Sequence, residues 1–155
     1  MSRRDQITLS ESEQHELLES ERVAIVTSNG HRGWPHSMPM WYVLRDGELW
    51  VWTYAKSQKV RNLERDDRAT VLVETGTEYV ELRGVMIEAR AEIQRDPEVV
   101  FEFGKDLTVR YSEGISSIEG DAASALQAQA TKRVAIRFVP DRTATWDHRK
   151  LGGTY

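Results

Sequence analysis

Residues 49–68 read LWVWTYAKSQKVRNLERDDR, and the hydrophobic period changes half-way along them. Leu49, Val51 and Thr53 alternate with Trp50, Trp52 and Tyr54, a β-branched and aromatic pattern that predicts a strand. From Ser57 the spacing becomes helical, with Ser57 in the N-cap position and Val60 and Leu63 three apart on one face. The chain therefore passes from strand to helix at Ala55 and Lys56. That turn carries chemistry: free N–H groups at a helix start, a serine hydroxyl, and Lys56 and Lys59 around it suit a phosphate. Lys56, Lys59 and Arg61 fall in a run from 53 to 63 with no acid, in a chain of net charge −4. The competing reading is a solvated helix whose Lys59, Arg61 and Arg65 balance Glu64, Asp66 and Asp67.

Around this stretch lie short strands joined by tight turns. Ser10-x-x-Glu13 forms a capping box before a mostly polar helix over 11–20, placed at the surface as a lid or plug. Residues 23–27 predict a first strand, Asn29-Gly30 with Gly33 a turn, 35–44 a second strand, and Arg45-Asp46-Gly47 a hairpin turn into the third. After the short helix come a fourth strand (69–75) and a fifth (79–92), with Gly84 marking a bulge or bend. Asp96-Pro97 starts a helix to about residue 110, 112–120 is a loop, and 122–130 is an alanine-rich helix. Residues 133–139 alternate as a sixth strand stopped by Pro140, with 143–146 available for a short final pairing. This order predicts one mainly β domain over 1–155, a six-stranded antiparallel barrel with helices at its rim and flexible ends at 1–9 and 150–155.

Composition excludes several function classes. A pI of 5.6 argues against general nucleic-acid binding, which needs a basic face, and no apolar run approaches the ~20 residues of a membrane span. There is no cysteine, hence no disulfide framework or thiolate nucleophile, and the N-terminus lacks the apolar core of a secretory signal, so a cytoplasmic address is expected. The four histidines lack metal-ligand spacing, and neither G-x-S-x-G nor G-x-G-x-x-G occurs. No side chain stands out as an obligatory acid or base, which fits an enzyme whose cofactor carries the reaction. Trp34, Trp41, Trp50 and Trp52 crowd together, and at least half of them are read as packing. Pro39, in the run GWPHSMPMW, marks a strand edge, a bulge or backbone turned to a ligand.

The run K-S-Q-K-V-R-N-L-E-R-D after an aromatic strand ending in threonine resembles the cofactor-phosphate segment of the pyridoxamine 5'-phosphate oxidase-like FMN-binding split-barrel family. Within it the likeness is to the actinobacterial flavin/deazaflavin oxidoreductases that use coenzyme F420. It implies a Greek-key split barrel, a homodimer with a cofactor at the subunit interface, and hydride transfer to a small, planar or conjugated acceptor. An FMN enzyme and a non-enzymatic flavin-binding or storage protein are the alternatives. By the same resemblance Ser37, Met38, Pro39 and Met40 contact the ring. Thr53 lies near the phosphate, Lys56, Ser57, Gln58, Lys59, Val60 and Asn62 form the phosphate loop, and Trp146 belongs to a tail reaching the partner's pocket.

Overall fold

The computed structural model describes residues 2–153. Its strands are β1 (Ala24–Asn29), β2 (Pro35–Met40), β3 (Tyr42–Arg45), β4 (Glu48–Tyr54), β5 (Arg68–Thr75), β6 (Arg83–Gln94) and β7 (Arg133–Asp147). They form one antiparallel sheet in the order β2-β1-β5-β6-β7-β4-β3. The helices are α1 (Arg3–Gln6), α2 (Glu11–Ser20), α3 (Gln58–Arg65), α4 (Pro97–Tyr111) and α5 (Gly120–Ala130). No helix among the described residues is long and apolar enough to cross a membrane.

Among the described residues there are seven strands, not six, because residues 35–44 break at Trp41. β2 and β3 occupy opposite edges of the sheet, yet only Trp41 separates them in the chain. Two Cα–Cα links span at most about 7 Å, so the sheet must curl until its edges approach at this corner. The result is a split barrel. The break is made by a residue distant in the chain: the Tyr42 N–H donates to the Tyr111 hydroxyl at 3.0 Å, that hydroxyl lies 2.8 Å from Arg22 O and 3.0 Å from Tyr42 O, and Trp41 stacks on the Tyr111 ring at 4.4 Å. Pro39 sits on edge strand β2, where its missing N–H leaves no ladder bond unmade.

Three further expectations change. Pro140 does not stop the sixth strand; β7 runs through it to Asp147. Ala89 pairs with Pro140 but Glu88 with Arg142, so Asp141 is the extra residue of a bulge that absorbs the proline. The fifth strand begins at Arg83, because Tyr79–Glu81 winds into a 3-10 turn. Gly84 is neither bulge nor bend. It pairs in register with Glu74 and with Trp146, and a Cβ there would lie 2.3 Å from the Trp146 ring. Glycine is required here by close packing. By contrast Asp46 and Gly47 (φ 51° and 78°) form the expected two-residue hairpin turn, whose left-handed positions favour them.

The sheet is buried on two sides along β4. Leu49 and Val51 face the barrel interior with Val26, Tyr42, Val71 and Phe138, and Leu17 and Leu18 of α2 enter the same core. Trp52 faces outward under α4 and α5, among Phe103, Leu107, Leu126 and Ala135. Trp50 packs at the edge of that second core, whereas Trp34 and Trp41 are exposed. The polar α2 carries its capping box as expected, and its terminal carbonyls are satisfied by distant donors: Arg110 reaches Leu18 O, Glu19 O and Glu21 O, and the buried Tyr42 hydroxyl donates to Leu18 O at 2.6 Å. At the chain ends, Leu9 is buried, Asp147 N–H donates to Ile7 O and Lys150 Nζ bonds Thr8 O; residues 1, 154 and 155 of the expected flexible ends lie outside the described residues.

Gly84→Ala is expected to destabilise the protein by about 1–3 kcal/mol, since backbone or indole must move. In a Trp146→Ala background the same change should cost less than ~0.5 kcal/mol. Denaturant unfolding of the four species measures this coupling, and equal costs in both backgrounds would disprove the packing account.

Candidate functional site

β4 ends at Tyr54, and α3 begins four residues later. Ser57 is the N-cap by backbone geometry, with its N–H on Tyr54 O, but its hydroxyl makes no capping bond. The first intrahelical bond is Arg61 N–H to Ser57 O, so the N–H groups of residues 58–60 point beyond the helix start. The first turn holds no acid.

The inner face of α3 is unusual in what it buries. Val60 and Leu63 join the barrel core, as their spacing predicts, but Lys59 and Asn62 are buried beside them. Lys59 Nζ donates to Thr53 Oγ1 at 3.1 Å, and Asn62 Nδ2 to Ser28 Oγ at 3.1 Å, while Gln58 Nε2 donates to Asn62 Oδ1 at 2.8 Å. Ser28, Thr53, Lys59 and Asn62 are four of the five buried polar or charged residues among those described. Polar burial in this protein is concentrated under one short helix. Lys59 has no carboxylate partner among the described residues, and burial pushes its ammonium below the ordinary lysine range.

The acids that might have neutralised this end are engaged elsewhere. Glu64 pairs with Arg95, Asp67 with Arg90 at 2.7 Å, and Asp66 with Arg68 at 2.7 Å. Arg68 and then Asn29 hold the Asp66 carboxyl well below the usual range. Glu64 lies in the last turn of α3, about 9 Å along the axis from Gln58, and Asp66 and Asp67 follow the helix end. The solvated-helix reading therefore fails for Lys59, which is buried. Lys56 and Arg61 are exposed and make no ion pair among the described residues.

A cleft of about 450 Å3 opens between α3 and the β1–β2 turn. Gln58 and Asn62 line one side, Trp34 and His36 the other, with His31 and Arg32 at the turn and no carboxylate on any wall. His36 Nδ1 is buried without a partner. Basic and amide groups thus face an acid-free cavity beside a helix start, which suits an anion.

The family model for pyridoxamine 5'-phosphate oxidase matches residues 10–147. The chain belongs to that family. A conserved hypothetical protein of Mycobacterium tuberculosis is 39% identical over 100% of this chain and 95% of its own, with a TM-score of 0.89. An F420 reductase shares the fold at 21% identity over 88% and 98% of the two chains (TM-score 0.66). So does a haem storage protein of Vibrio cholerae at 15% identity over 88% and 96% (TM-score 0.67). No curated protein matches the chain.

Against the family's cofactor segment, the structure gathers some of the expected residues and separates others. Thr53, Lys56, Ser57, Gln58, Lys59 and Asn62 come together around the start of α3; Val60 is there too, but its side chain is fully in the core, leaving only its N–H for a ligand. On β2, successive side chains alternate: Met38 and Met40 share the face of Val26 and Ala24, whereas Ser37 and Pro39 lie opposite Thr27 and Ile25. These four side chains divide between the two faces of β2. Ser37 Oγ is already within 2.8 Å of Thr27 Oγ1. Trp146 stands roughly 40 Å along β7 from Arg133, over Gly84, and is not brought to α3 within one chain. Ser28 and His36 were not among the expected site residues. Ser28 has no local signal, since its role depends on Asn62 arriving from 34 residues away.

Lys59→Met is expected to raise the melting temperature of the ligand-free protein by about 2–4 °C at pH 7, because it replaces a desolvated charge with a side chain of similar shape. The sign of the pH effect follows from a folded-state value below the unfolded one. The penalty is fully present while lysine is charged in both states and is relieved as pH rises from the folded value toward the ordinary one of about 10.4. The advantage of Lys59→Met should therefore shrink above neutrality in thermal scans. A variant less stable than wild type at pH 7 would refute the account.

Proposed function

We propose that the protein is an oxidoreductase that uses coenzyme F420 to exchange a hydride with a small organic acceptor, working as a cytoplasmic homodimer. The observation that carries the reading is Lys59: a buried, carboxylate-free ammonium beside the open first turn of α3 and the Ser57 hydroxyl, which caps no helix N–H. A phosphate oxygen supplies the counter-charge that this lysine lacks, and the helix start adds about 0.3–1 kcal/mol. The deazaflavin, when bound, supplies the hydride chemistry; the chain binds, orients and shields.

Choice of the deazaflavin over FMN rests on what lies beyond the phosphate. FMN ends there in a monoester, which an enclosed pocket can surround. Coenzyme F420 continues through a phosphodiester into a lactyl and oligoglutamate tail that needs an open, basic exit. Exposed Lys56 and Arg61 border such an exit, and Glu64, Asp66 and Asp67 are each held by an arginine at the other end of α3. The fold likeness to an F420 reductase agrees with this choice.

Wild-type protein should bind F420 more tightly than FMN, with affinity falling steeply as salt rises. The Lys56→Ala/Lys59→Met double variant should lose at least about tenfold in F420 affinity, equivalent to ~1.4 kcal/mol. Fluorescence titration decides both points; unchanged affinity in the double variant, or tight FMN binding without F420 binding, overturns the assignment. Sedimentation should give twice the 17.8 kDa of one chain. Bound F420H2 that no quinone or enone oxidises would point to a binding protein.

A further inference from the structure

On the outer face of the sheet, where α4 and α5 lean on β4 and β7, lies a second cavity of about 690 Å3. Its volume falls in the range of small-molecule sites, and its walls are mostly apolar: Trp41, Trp52, Leu107, Tyr111, Ile118 and Leu126. One charged side chain reaches it, Arg133, and no aspartate or glutamate lines it.

Arg133 is held in an unusual state. It opens β7 directly across from Tyr54, and its guanidinium carbon lies 4.2 Å from the Tyr54 ring centroid and 4.4 Å from that of Trp52. Aromatic faces fix the group and remove water from it. Yet Arg133 makes no ion pair among the described residues, and its Nε is buried without a hydrogen-bond partner. Its neighbours on the same outer face are all paired. Arg137, four residues along β7, binds Glu48 and Glu92, and Arg45 binds Asp106. A guanidinium that is positioned and partly desolvated but lacks an anion is a recognition group for one, because a bidentate acid satisfies its planar fork.

We infer that this cavity binds an apolar monoanion, a carboxylic or sulfonic acid with a hydrophobic body. The acid group lies on Arg133 and the body between the stacked Trp41–Tyr111 pair and Leu126 of α5. Pro39 and Met40, on the strand that the family likeness assigns to the cofactor ring, form part of the same wall. As the substrate class of the proposed oxidoreductase, the inference rests on that reading; as a binding site it does not.

The test uses the full chain without cofactor and two fluorescent probes of nearly the same shape, 1-anilinonaphthalene-8-sulfonate and its uncharged analogue N-phenyl-1-naphthylamine. Wild type should bind the sulfonate the more tightly. Arg133→Gln should weaken the sulfonate at least tenfold and change the neutral probe less than twofold. Ala125→Trp, at an exposed α5 position on the cavity wall, should weaken both by filling the space. Sulfonate affinity unchanged in Arg133→Gln, or both probes unaffected by Ala125→Trp, overturns the inference. F420 titrations run alongside keep the two proposals apart: Arg133-dependent sulfonate binding in a protein that binds no F420 supports the pocket while removing the proposed cofactor.

Discussion

One covalent constraint shapes this molecule more than any single contact. β2 and β3 are the two edges of a seven-stranded sheet, and Trp41 alone joins them. A flat sheet would hold its edges about 28 Å apart, six spacings of ~4.7 Å, whereas the chain allows about 7 Å at this corner. Curling is therefore compulsory. It creates an interior small enough to be filled by Val, Leu, Ile, Tyr and Phe side chains. The Tyr111 hydroxyl, bonded to both backbone groups of Tyr42, holds the corner from outside, so α4 takes part in closing the barrel as well as covering it.

The curled sheet explains how α3 can bury polar groups. A helix that plugs a barrel must place its inner face in the core, and Val60 and Leu63 do so. Lys59 and Asn62 flank them and also go inside, and each finds a hydroxyl: Thr53 from β4 and Ser28 from β1. For Asn62 the arrangement closes, because Gln58 satisfies its oxygen. For Lys59 it does not, since one hydroxyl cannot replace the hydration of an ammonium. Stability alone does not account for that lysine, whose burial lowers its proton affinity without a carboxylate in return.

Much of this architecture was legible in the chain. The capping box at Ser10 and Glu13, the Asp46-Gly47 turn and the strand-to-helix switch at residues 55–57 are local signals, and local backbone chemistry decides them. What was not legible depends on distant partners. The break at Trp41 is made by Tyr111, the need for Gly84 by Trp146, and the passage of β7 through Pro140 by a bulge against β6. The same division runs through the site. The basic, acid-free pattern of residues 56–62 can be read from the chain alone, but Ser28 gains its role only when Asn62 reaches it, and His36 and Arg133 only when the sheet brings them to a cavity.

β4 shows how the two cavities are related. In a strand, neighbours point to opposite faces, so Thr53 turns inward to Lys59 while Trp52 and Tyr54 turn outward to Arg133. Three consecutive residues thus serve a charge inside the barrel and a charge outside it. Among the described residues both are cations without carboxylate partners, set on the two sides of one strand end, within a protein of net charge −4 whose other half-buried arginines are mostly paired. Because β4 is covered on both faces, by the barrel core and by α4 with α5, neither side can shift without disturbing the other.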